Sequence, residues 1–472
     1  MLSRDRRFDG RFFVGVKSTR IYCRPVCTVR PPLKKNCRFF LYAAAAEISG
    51  FRPCLRCRPE LAPGAAAVDA TARLSSSALR LIDEGAMAEG NISDLADELG
   101  VTSRHLRRVF KKEVGISPIE FWQTRRLLLA KGMMTDTQLP ATRVAEASGF
   151  KSLRRFNAAF KSRYRLSPTQ VRASRRRALA ENSKELVPFC LGYRPPFDWG
   201  SLMHFLSRRM IPGCESAAGG VYRRTICLKR KEERFTGWLE VRNVPETNSL
   251  AVGISESLLP VCFVVLEKVK YLFDLQADPA EINVALGDLS KPYPGLRVPG
   301  SFDPFEMAIR AILGQQISVA GASTLAGRLA SKFGQAISTP YAELTTLFPT
   351  ADVIANATTP ALASIGLTRG RAGTISALAK AVAEDRLHLH WSEQIGALGN
   401  QLRALPGIGE WTVQYLAMRA LRWPDAFPAG DLGLKKALGE THVANVLKRA
   451  EAWRPWRAYA AIHLWKSLEK PV

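Results

Sequence analysis

The chain has no run approaching the roughly 18–20 apolar residues that a membrane span needs; the stretch Leu258–Leu266 is far too short. Met1–Gly10 is charged and lacks an apolar signal core, so a cytoplasmic protein with no membrane partner is expected. No cysteine follows Cys262, which excludes a cysteine-ligated iron–sulfur cluster from the C-terminal half. Low-complexity tracts are missing too. With 47% hydrophobic and 23% charged residues the composition is that of packed domains, and 472 residues are too many for one core, so three or four domains are expected. Acidic residues are in short supply. Only 42 Asp+Glu stand against 68 Lys+Arg, and the resulting +26 points to a polyanion as partner, nucleic acid first.

What cysteine there is lies early: five of nine fall before Arg58. In a reducing compartment such clustering asks for a metal rather than disulfides. Cys23-x3-Cys27 and Cys54-x2-Cys57 form two close pairs separated by 26 residues, which suits one tetrahedral Zn²⁺ held by four thiolates. From spacing alone a purely structural zinc knuckle and a reactive centre both remain open.

Four segments emerge from pattern: residues 1–62, Cys- and Arg-rich; 71–176, helical with an internal repeat; 187–284, a small α/β stretch; and 285–472, helix after helix. An Ala/Pro/Gly linker at Leu61–Ala70 and a charged one at Arg175–Glu185 separate the first three. Strand-like runs occur at Thr225–Leu228, Gly237–Val241 and Leu250–Ile254, with a helical stretch near Val261–Phe273.

Within 71–176, Ala96-x3-Gly100 followed by Val101–Lys112 has the spacing of a helix-turn-helix, and Ala145-x3-Gly149 followed by Phe150–Lys161 is a second copy. The glycines lie 49 residues apart, and the Ser-Pro pairs at 117–118 and 167–168 lie 50 apart. Leu106, Val109 and Phe110 would pack the first recognition helix and leave Arg104, Arg107 and Arg108 outward. The second offers Arg154, Arg155, Asn157 and Lys161 to double-stranded DNA.

In the last segment, Leu405-Pro-Gly-Ile-Gly409 is a tight turn between helical stretches. The backbone N–H groups around Gly407 and Gly409 can face a phosphate. Asp431 stands 22 residues beyond Gly409 at an expected helix start, where an Asp is most often a plain N-cap.

Beside these local readings stands a resemblance covering nearly the whole chain. Asp9-Gly-Arg-Phe-Phe-Val-Gly-Val16, Ile21-Tyr-Cys-Arg-Pro-Val-Cys27, Asn36-Cys-Arg-Phe-Phe40 and Gly50-Phe-Arg-Pro-Cys-Leu-Arg-Cys-Arg-Pro59 resemble the methylphosphotriester-repair domain of the Ada family. The resemblance implies that Cys23 is both zinc ligand and methyl acceptor, with Cys27, Cys54 and Cys57 completing the set. Cys37 would then be an ordinary buried thiol. Arg20 stands where that family commonly has glycine. Four thiolates on Zn²⁺ carry a formal −2 that falls to −1 when one becomes a thioether, which should strengthen DNA binding and make repair a switch. The tandem helix-turn-helix resembles the AraC-type DNA-binding domain found behind the zinc domain in Ada.

The C-terminal half is similar to AlkA-type 3-methyladenine DNA glycosylases of the helix-hairpin-helix superfamily, through Tyr193-Arg-Pro-Pro-Phe-Asp-Trp199, Leu272-Phe-Asp-Leu-Gln276, Arg310-Ala-Ile-Leu-Gly-Gln-Gln-Ile-Ser318, Pro406–Tyr415 and His463-Leu-Trp465. That likeness implies Asp431 as catalytic carboxylate, Trp411, Tyr415 and Trp465 as an aromatic pocket, and Gln316 where AlkA inserts a leucine wedge. Leu432 stands where a pocket tyrosine is usual. Trp411 occupies the place of the Schiff-base lysine of bifunctional relatives, which implies a monofunctional enzyme without a cofactor for the excision. The fold class implied is multidomain and mainly α: a four-cysteine zinc domain, an AraC-type double helix-turn-helix, a small α/β domain and an all-α helix-hairpin-helix domain. The chain as a whole resembles an Ada–AlkA fusion, acting on damaged and promoter DNA and meeting RNA polymerase if it is an activator. The alternative is a methyl-sensing transcriptional regulator whose glycosylase half is weak or inactive.

Overall fold

The structure is a computed structural model that describes residues 3–63, 74–83, 85–87, 91–173, 186–230, 232–389 and 395–469. The charged linker expected at 175–185 lies outside the described residues, as do residues 64–70 of the linker expected at 61–70. The chain is multidomain, about half helical, and divides into two compact units: Met1–Pro195 with Val244–Glu267, and Pro196–Asn243 with Lys268–Val472. The stretch 187–284, expected to fold as a small α/β domain, is thus shared between the two. No helix among the described residues is long and apolar enough to cross a membrane.

The first unit opens with a four-stranded sheet of β1 (Phe13–Val16), β2 (Ile21–Cys23), β3 (Cys37–Phe40) and β4 (Arg52–Pro53), in the order β3-β1-β2-β4. β1 pairs antiparallel with β2 and β3, and β2 pairs parallel with β4. The β1–β2 turn closes on Arg20 at φ +55°, a left-handed conformation that explains why glycine suits this position. Cys37 departs from the expected buried thiol. It begins the edge strand β3 and is half-exposed, because an outer strand has a neighbour on one side only.

Helix α1 (Ala43–Ile48) joins this sheet to the helical part: α2 (Leu74–Asp83), α3 (Ile92–Glu98), α4 (Ser103–Val114), α5 (Pro118–Asp136), α6 (Ala141–Ala147), α7 (Leu153–Tyr164) and α8 (Pro168–Ala173). The internal repeat has a physical cause. Each Ser-Pro pair opens a capping box: Ser117 exchanges hydrogen bonds with Glu120, and Ser167 with Gln170. Both recognition helices begin on a hydroxyl cap, Thr102 for α4 and Ser152 for α7. Leu106 and Phe110 in α4, and Phe156 and Phe160 in α7, are fully buried, while Val109 is only half-buried.

The zinc-type sheet and the helices share one interior. Ala44 of α1 belongs to the core of the first helix-turn-helix, and Tyr42 meets Phe121 edge-to-face at 6.2 Å. Lys131, buried at 2% exposure in α5, is neutralised by Glu60 at 2.7 Å, and Arg58 bridges Glu60 and Asp136. Burial works to raise the Glu60 carboxyl, but Lys131 and Arg58 outweigh it and hold it below its ordinary value. A second clasp joins Glu47 of α1 to Tyr22 Oη at 2.9 Å and to Arg163 of α7 at 3.6 Å. Strands Leu186–Gly192 and Ser249–Ser255, paired antiparallel, complete the unit.

The second unit holds a three-stranded antiparallel meander, Glu215–Ala218, Val221–Arg230 and Glu233–Val244, and a helical body. The sequence-predicted strands Thr225–Leu228 and Gly237–Val241 lie inside two of these strands. Helix Pro304–Leu313 is the axis of the helical body. Capped by Asp303 and carrying Pro at its first position, it buries eight of its ten residues. Helices Val319–Phe333, Arg369–Ala383 and Glu410–Arg419 pack around it, and each fully buried Leu or Ile in that core contributes about 2 kcal/mol. Below lies a buried ion cluster. Arg224 meets Glu306 at 2.6 Å, Arg310 meets Glu215 at 3.0 Å and Glu306 at 3.2 Å, and Tyr222 donates to Glu215 at 2.6 Å. Two guanidiniums thus face two carboxylates, and the cluster is charge-balanced.

Candidate functional site

Two sites emerge, one in each unit. In the first, β2 ends on Cys23, the turn behind it carries Cys27, and the loop after β4 brings Cys54 and Cys57 back against them. The four sulfurs lie within 4.8 Å of one another, close to the edge of about 3.8 Å that four thiolates make around one zinc ion. Cys23, Cys27 and Cys54 are buried and Cys57 is partly exposed. Such a group accommodates four negative sulfurs only around a cation, and these residues therefore fit a four-thiolate metal. Arg24 locks the loop, its guanidinium on Asp9 and on the Cys57 carbonyl at 3.1 Å, its backbone N–H 3.3 Å from Cys57 Sγ. Sequence reasoning named the cysteines but not this clamp.

In the same unit, Arg104, Arg107 and Arg108 project from α4, and Arg154, Arg155 and Asn157 from α7, all exposed. Their outward donors suit phosphates and base edges.

The second site is a cavity of about 660 Å³ in the helical unit. Asp431 stands in its wall as the N-cap of helix Leu432–Leu438. Its Oδ1 accepts from the Leu434 N–H at 3.1 Å and from the Trp465 indole Nε1 at 2.9 Å; its Oδ2 accepts from Trp411 Nε1 at 3.0 Å. The plain N-cap and a poised carboxylate are therefore the same residue. Trp411 stacks on Tyr415 at 5.1 Å with the rings 15° apart, and Trp465 leans over Tyr415 at 6.4 Å. Gly433 keeps this corner open, since a Cβ there would sit 2.9 Å from Asp431 Oδ1 and 3.0 Å from the Trp465 ring. Burial acts to raise the Tyr415 phenol, yet Arg419, Arg209 and Arg310 around it prevail and hold it below its ordinary value. His463, from the same motif as Trp465, is buried and neutral, its imidazole pushed down to about 4 by burial.

The glycine turn separates helices Ile395–Arg403 and Glu410–Arg419. Gly407 takes φ +84°, and a Cβ there would run into the Thr374 hydroxyl. Gln315, which sequence reasoning passed over, fastens this turn: its amide donates to the Gly407 carbonyl at 2.9 Å and to Thr412 Oγ1 at 3.1 Å, and its own carbonyl accepts from Arg371 at 2.6 Å. Gln316 does not line the cavity. It is exposed at φ +57° on the turn between helices Pro304–Leu313 and Val319–Phe333, while the next residues, Ile317 and Ser318, form the cavity's edge. Leu432, 81% exposed, stands beside Asp431.

A hairpin gripped from behind, a carboxylate at a helix start and an aromatic cavity together define the helix-hairpin-helix class of DNA base-excision proteins, here joined to a thiolate metal site and paired DNA-reading helices. Comparison with known proteins agrees along the chain. Residues 1–60 match the metal binding domain of Ada, 95–174 a helix-turn-helix domain, 188–303 the AlkA N-terminal domain, and 309–470 the HhH-GPD superfamily of base excision DNA repair proteins. A "probable bifunctional transcriptional activator/DNA repair enzyme AlkA" of Mycobacterium tuberculosis is 38% identical over 100% of this chain and 95% of its own length. DNA-3-methyladenine glycosylase 2 of Escherichia coli is 34% identical over 59% of this chain and 96% of its own. The solved 3-methyladenine DNA-glycosylase of Archaeoglobus fulgidus shares the fold at TM-score 0.51 and 24% identity, covering 59% of this chain and 97% of its own. The chain belongs to the family of AlkA-type bifunctional transcriptional activators and DNA repair enzymes.

Proposed function

We propose that this protein repairs alkylated DNA by two chemistries and couples one of them to sequence-specific DNA binding. The observation that carries the first is the Asp431 carboxylate, held by two indole N–H groups at the wall of a stacked aromatic cavity. An alkylated purine flipped into the cavity stacks on Trp411 and Tyr415 with Trp465 beside them. Its glycosidic bond breaks heterolytically, the electron pair leaves with the base, and Asp431 stabilises the cationic sugar until water adds and releases a proton to solvent. A carboxylate about 4 Å from that charge at an effective dielectric near 20 contributes about 4 kcal/mol, roughly three orders of magnitude in rate. This is ample for 3-methyladenine-type lesions, which leave as neutral bases. With Trp411 in place of a Schiff-base lysine, the enzyme is monofunctional. The turn of Gly407 and Gly409 holds a phosphate, and exposed Gln316 fills the gap left by the extruded base.

The second chemistry belongs to Cys23, the first cysteine of the Ada-type set, with Cys27, Cys54 and Cys57 as fellow ligands of one Zn²⁺. Its sulfur takes the methyl group of a neutral methylphosphotriester; the S–C bond forms, the C–O bond breaks, and the electron pair returns the phosphate to an anion. Bound metal supplies the stabilisation that keeps the sulfur a thiolate. Arg104, Arg107, Arg154 and Arg155 then read promoter DNA, with RNA polymerase as partner in activation, in the cytoplasm. The domains of this reading are 1–62, 71–176, 187–284 and 285–472.

The test treats one methylated duplex with the full chain. Free 3-methyladenine should appear, with strand breaks only after alkali, and peptide mass analysis should place one added methyl on Cys23. No base release refutes the glycosylase and leaves a methyl-sensing regulator; methyl on the more exposed Cys57 instead refutes the assignment of Cys23.

A further inference from the structure

Two turns that stand far apart in the sequence are bolted together in the helical unit. One joins helices Pro304–Leu313 and Val319–Phe333 and carries Gln315 and Gln316. The other is the glycine turn of Gly407 and Gly409. Gln315 spans them with its side-chain amide, which donates to the Gly407 carbonyl at 2.9 Å and to Thr412 Oγ1 at 3.1 Å. A carbonyl oxygen only accepts, so the amide has one usable orientation. A peptide unit is planar, and anchoring the Gly407 carbonyl therefore fixes the plane of the Gly407–Ile408 peptide as well.

A second strut runs through helix Arg369–Ala383. Its first turn sends Arg371 Nη2 to the Gln315 carbonyl at 2.6 Å, and three residues on Thr374 occupies the space that a Cβ at Gly407 would need. One helix thus braces both turns. Beyond Gln315 the chain faces solvent: Gln316 is exposed, and Ile317 is 38% exposed at the rim of the cavity. Gln316 sits at φ +57°, a strained conformation that persists only where its surroundings impose it. They do so from both sides. Arg371 holds the peptide before Gln316, and Ser318 after it caps the next helix, its Oγ accepting from the Gly321 N–H at 3.1 Å.

We propose that Gln315 is a positioning residue for base extrusion: it locks the Gln316 turn to the glycine turn at a set distance, so that gripping the phosphate and filling the base stack occur as one rigid act. This rests on the cavity being the excision site, on the glycine turn holding a phosphate and on Gln316 filling the gap. With the two turns free to slide, the phosphate would be held while Gln316 missed the gap, and the base would fall back into its stack. A base paired with its opposite number needs the lock. A base with no partner leaves the stack at little cost and does not need it. Gln315 itself contacts neither base nor sugar, so its effect is confined to extrusion.

Single-turnover release of 7-methylguanine by the full chain is measured on two duplexes that differ only opposite the lesion, with cytosine in one and an abasic-site analogue in the other. Gln315→Ala removes both donors. It should slow release about tenfold to thirtyfold opposite cytosine, the worth of two neutral hydrogen bonds, and less than about threefold opposite the abasic analogue. Gln315→Glu, of the same length but with an acceptor facing the Gly407 carbonyl, should be at least as selective. Gln316→Ala should show the same selective loss, and the double variant Gln315→Ala/Gln316→Ala should be little slower than either single one, because both act on one step. The ratio between the duplexes is taken within one preparation, so a partly unfolded variant does not disturb it. Equal slowing of Gln315→Ala on both duplexes, no slowing on either, or full addition of the two defects overturns the inference while leaving the glycosylase reading intact. A Gln316→Ala variant without effect removes the gap-filling reading, and the inference with it. Release of no base by the wild-type chain overturns the glycosylase reading as well.

Discussion

Replacing Asp431 by Asn separates the N-cap role of this carboxylate from the role in excision proposed for it. An Asn side chain can keep its oxygen where Oδ1 sits, accepting from Leu434 N–H and Trp465 Nε1, and Asn is as good an N-cap as Asp. Its amide nitrogen then faces Trp411 Nε1, so two donors oppose each other where a bond of 3.0 Å stood. Leaving that indole unpaired should cost about 1–2 kcal/mol of stability. The chemical loss is larger. Removing a full charge about 4 Å from the cationic sugar forfeits about 4 kcal/mol, or roughly a thousandfold in rate. Single-turnover base release from methylated duplex DNA, read beside a thermal melt of the same sample, distinguishes the two. A folded variant is expected, with a modestly lowered Tm and a rate down by about three orders of magnitude. A fall of less than tenfold, or one accounted for by the folded fraction alone, would refute the role given to the charge.

Trp411→Phe keeps the stacked ring and removes one donor to the carboxylate; excision should drop about five- to thirtyfold with Tm little changed, and a loss as large as that of Asp431→Asn would contradict the supporting role. Gly407→Ala imposes a side chain at φ +84° against Thr374, so duplex affinity measured by fluorescence anisotropy should weaken more than tenfold; unchanged affinity would remove the hairpin from the DNA contact. Burial raises the Glu47 carboxyl to about 7 from an ordinary 4.5. The folded state then holds a proton that the unfolded chain releases, and this contribution to stability is present below pH 4.5 and lost as pH rises towards 7, on the order of 3 kcal/mol. Glu47→Gln should flatten the pH dependence of denaturant midpoints for the first unit across that window, and an unaltered slope would show that another group carries it.

The parts legible in sequence were those whose physics is local. Cys23, Cys27, Cys54 and Cys57 declare themselves because ligands of one ion come in close pairs. The repeat in the helix-turn-helix part was visible because Ser117 and Ser167 each pair with a residue three further on. Asp431 was legible through its motif, and the structure adds that it caps a helix while accepting from two indole N–H groups. Arg209 and Gln315 were not. Arg209 reaches the cavity wall from the turn after helix Trp199–Ser207, about 200 residues before Trp411, and Gln315 acts through the backbone of Gly407, 92 residues away. Cys37 was misjudged because burial of a strand residue depends on which strand lies at the edge, a matter of long-range pairing.

The clasp of Glu60 on Lys131, with Arg58 on Asp136 and Glu47 on Arg163, bears on how such chains are assembled over evolutionary time. In the sequence the thiolate module and its DNA reader look like two beads on a string, with an inviting cut at residues 64–73. A recombination there would leave Lys131 without its counter-ion in apolar surroundings, a defect of about 3–5 kcal/mol. Grafting the reader alone onto a new partner would meet the same penalty, and so would grafting the cysteine module. A rearrangement that keeps residues 1–164 together preserves all three clasps, so the first two modules behave as one stability unit.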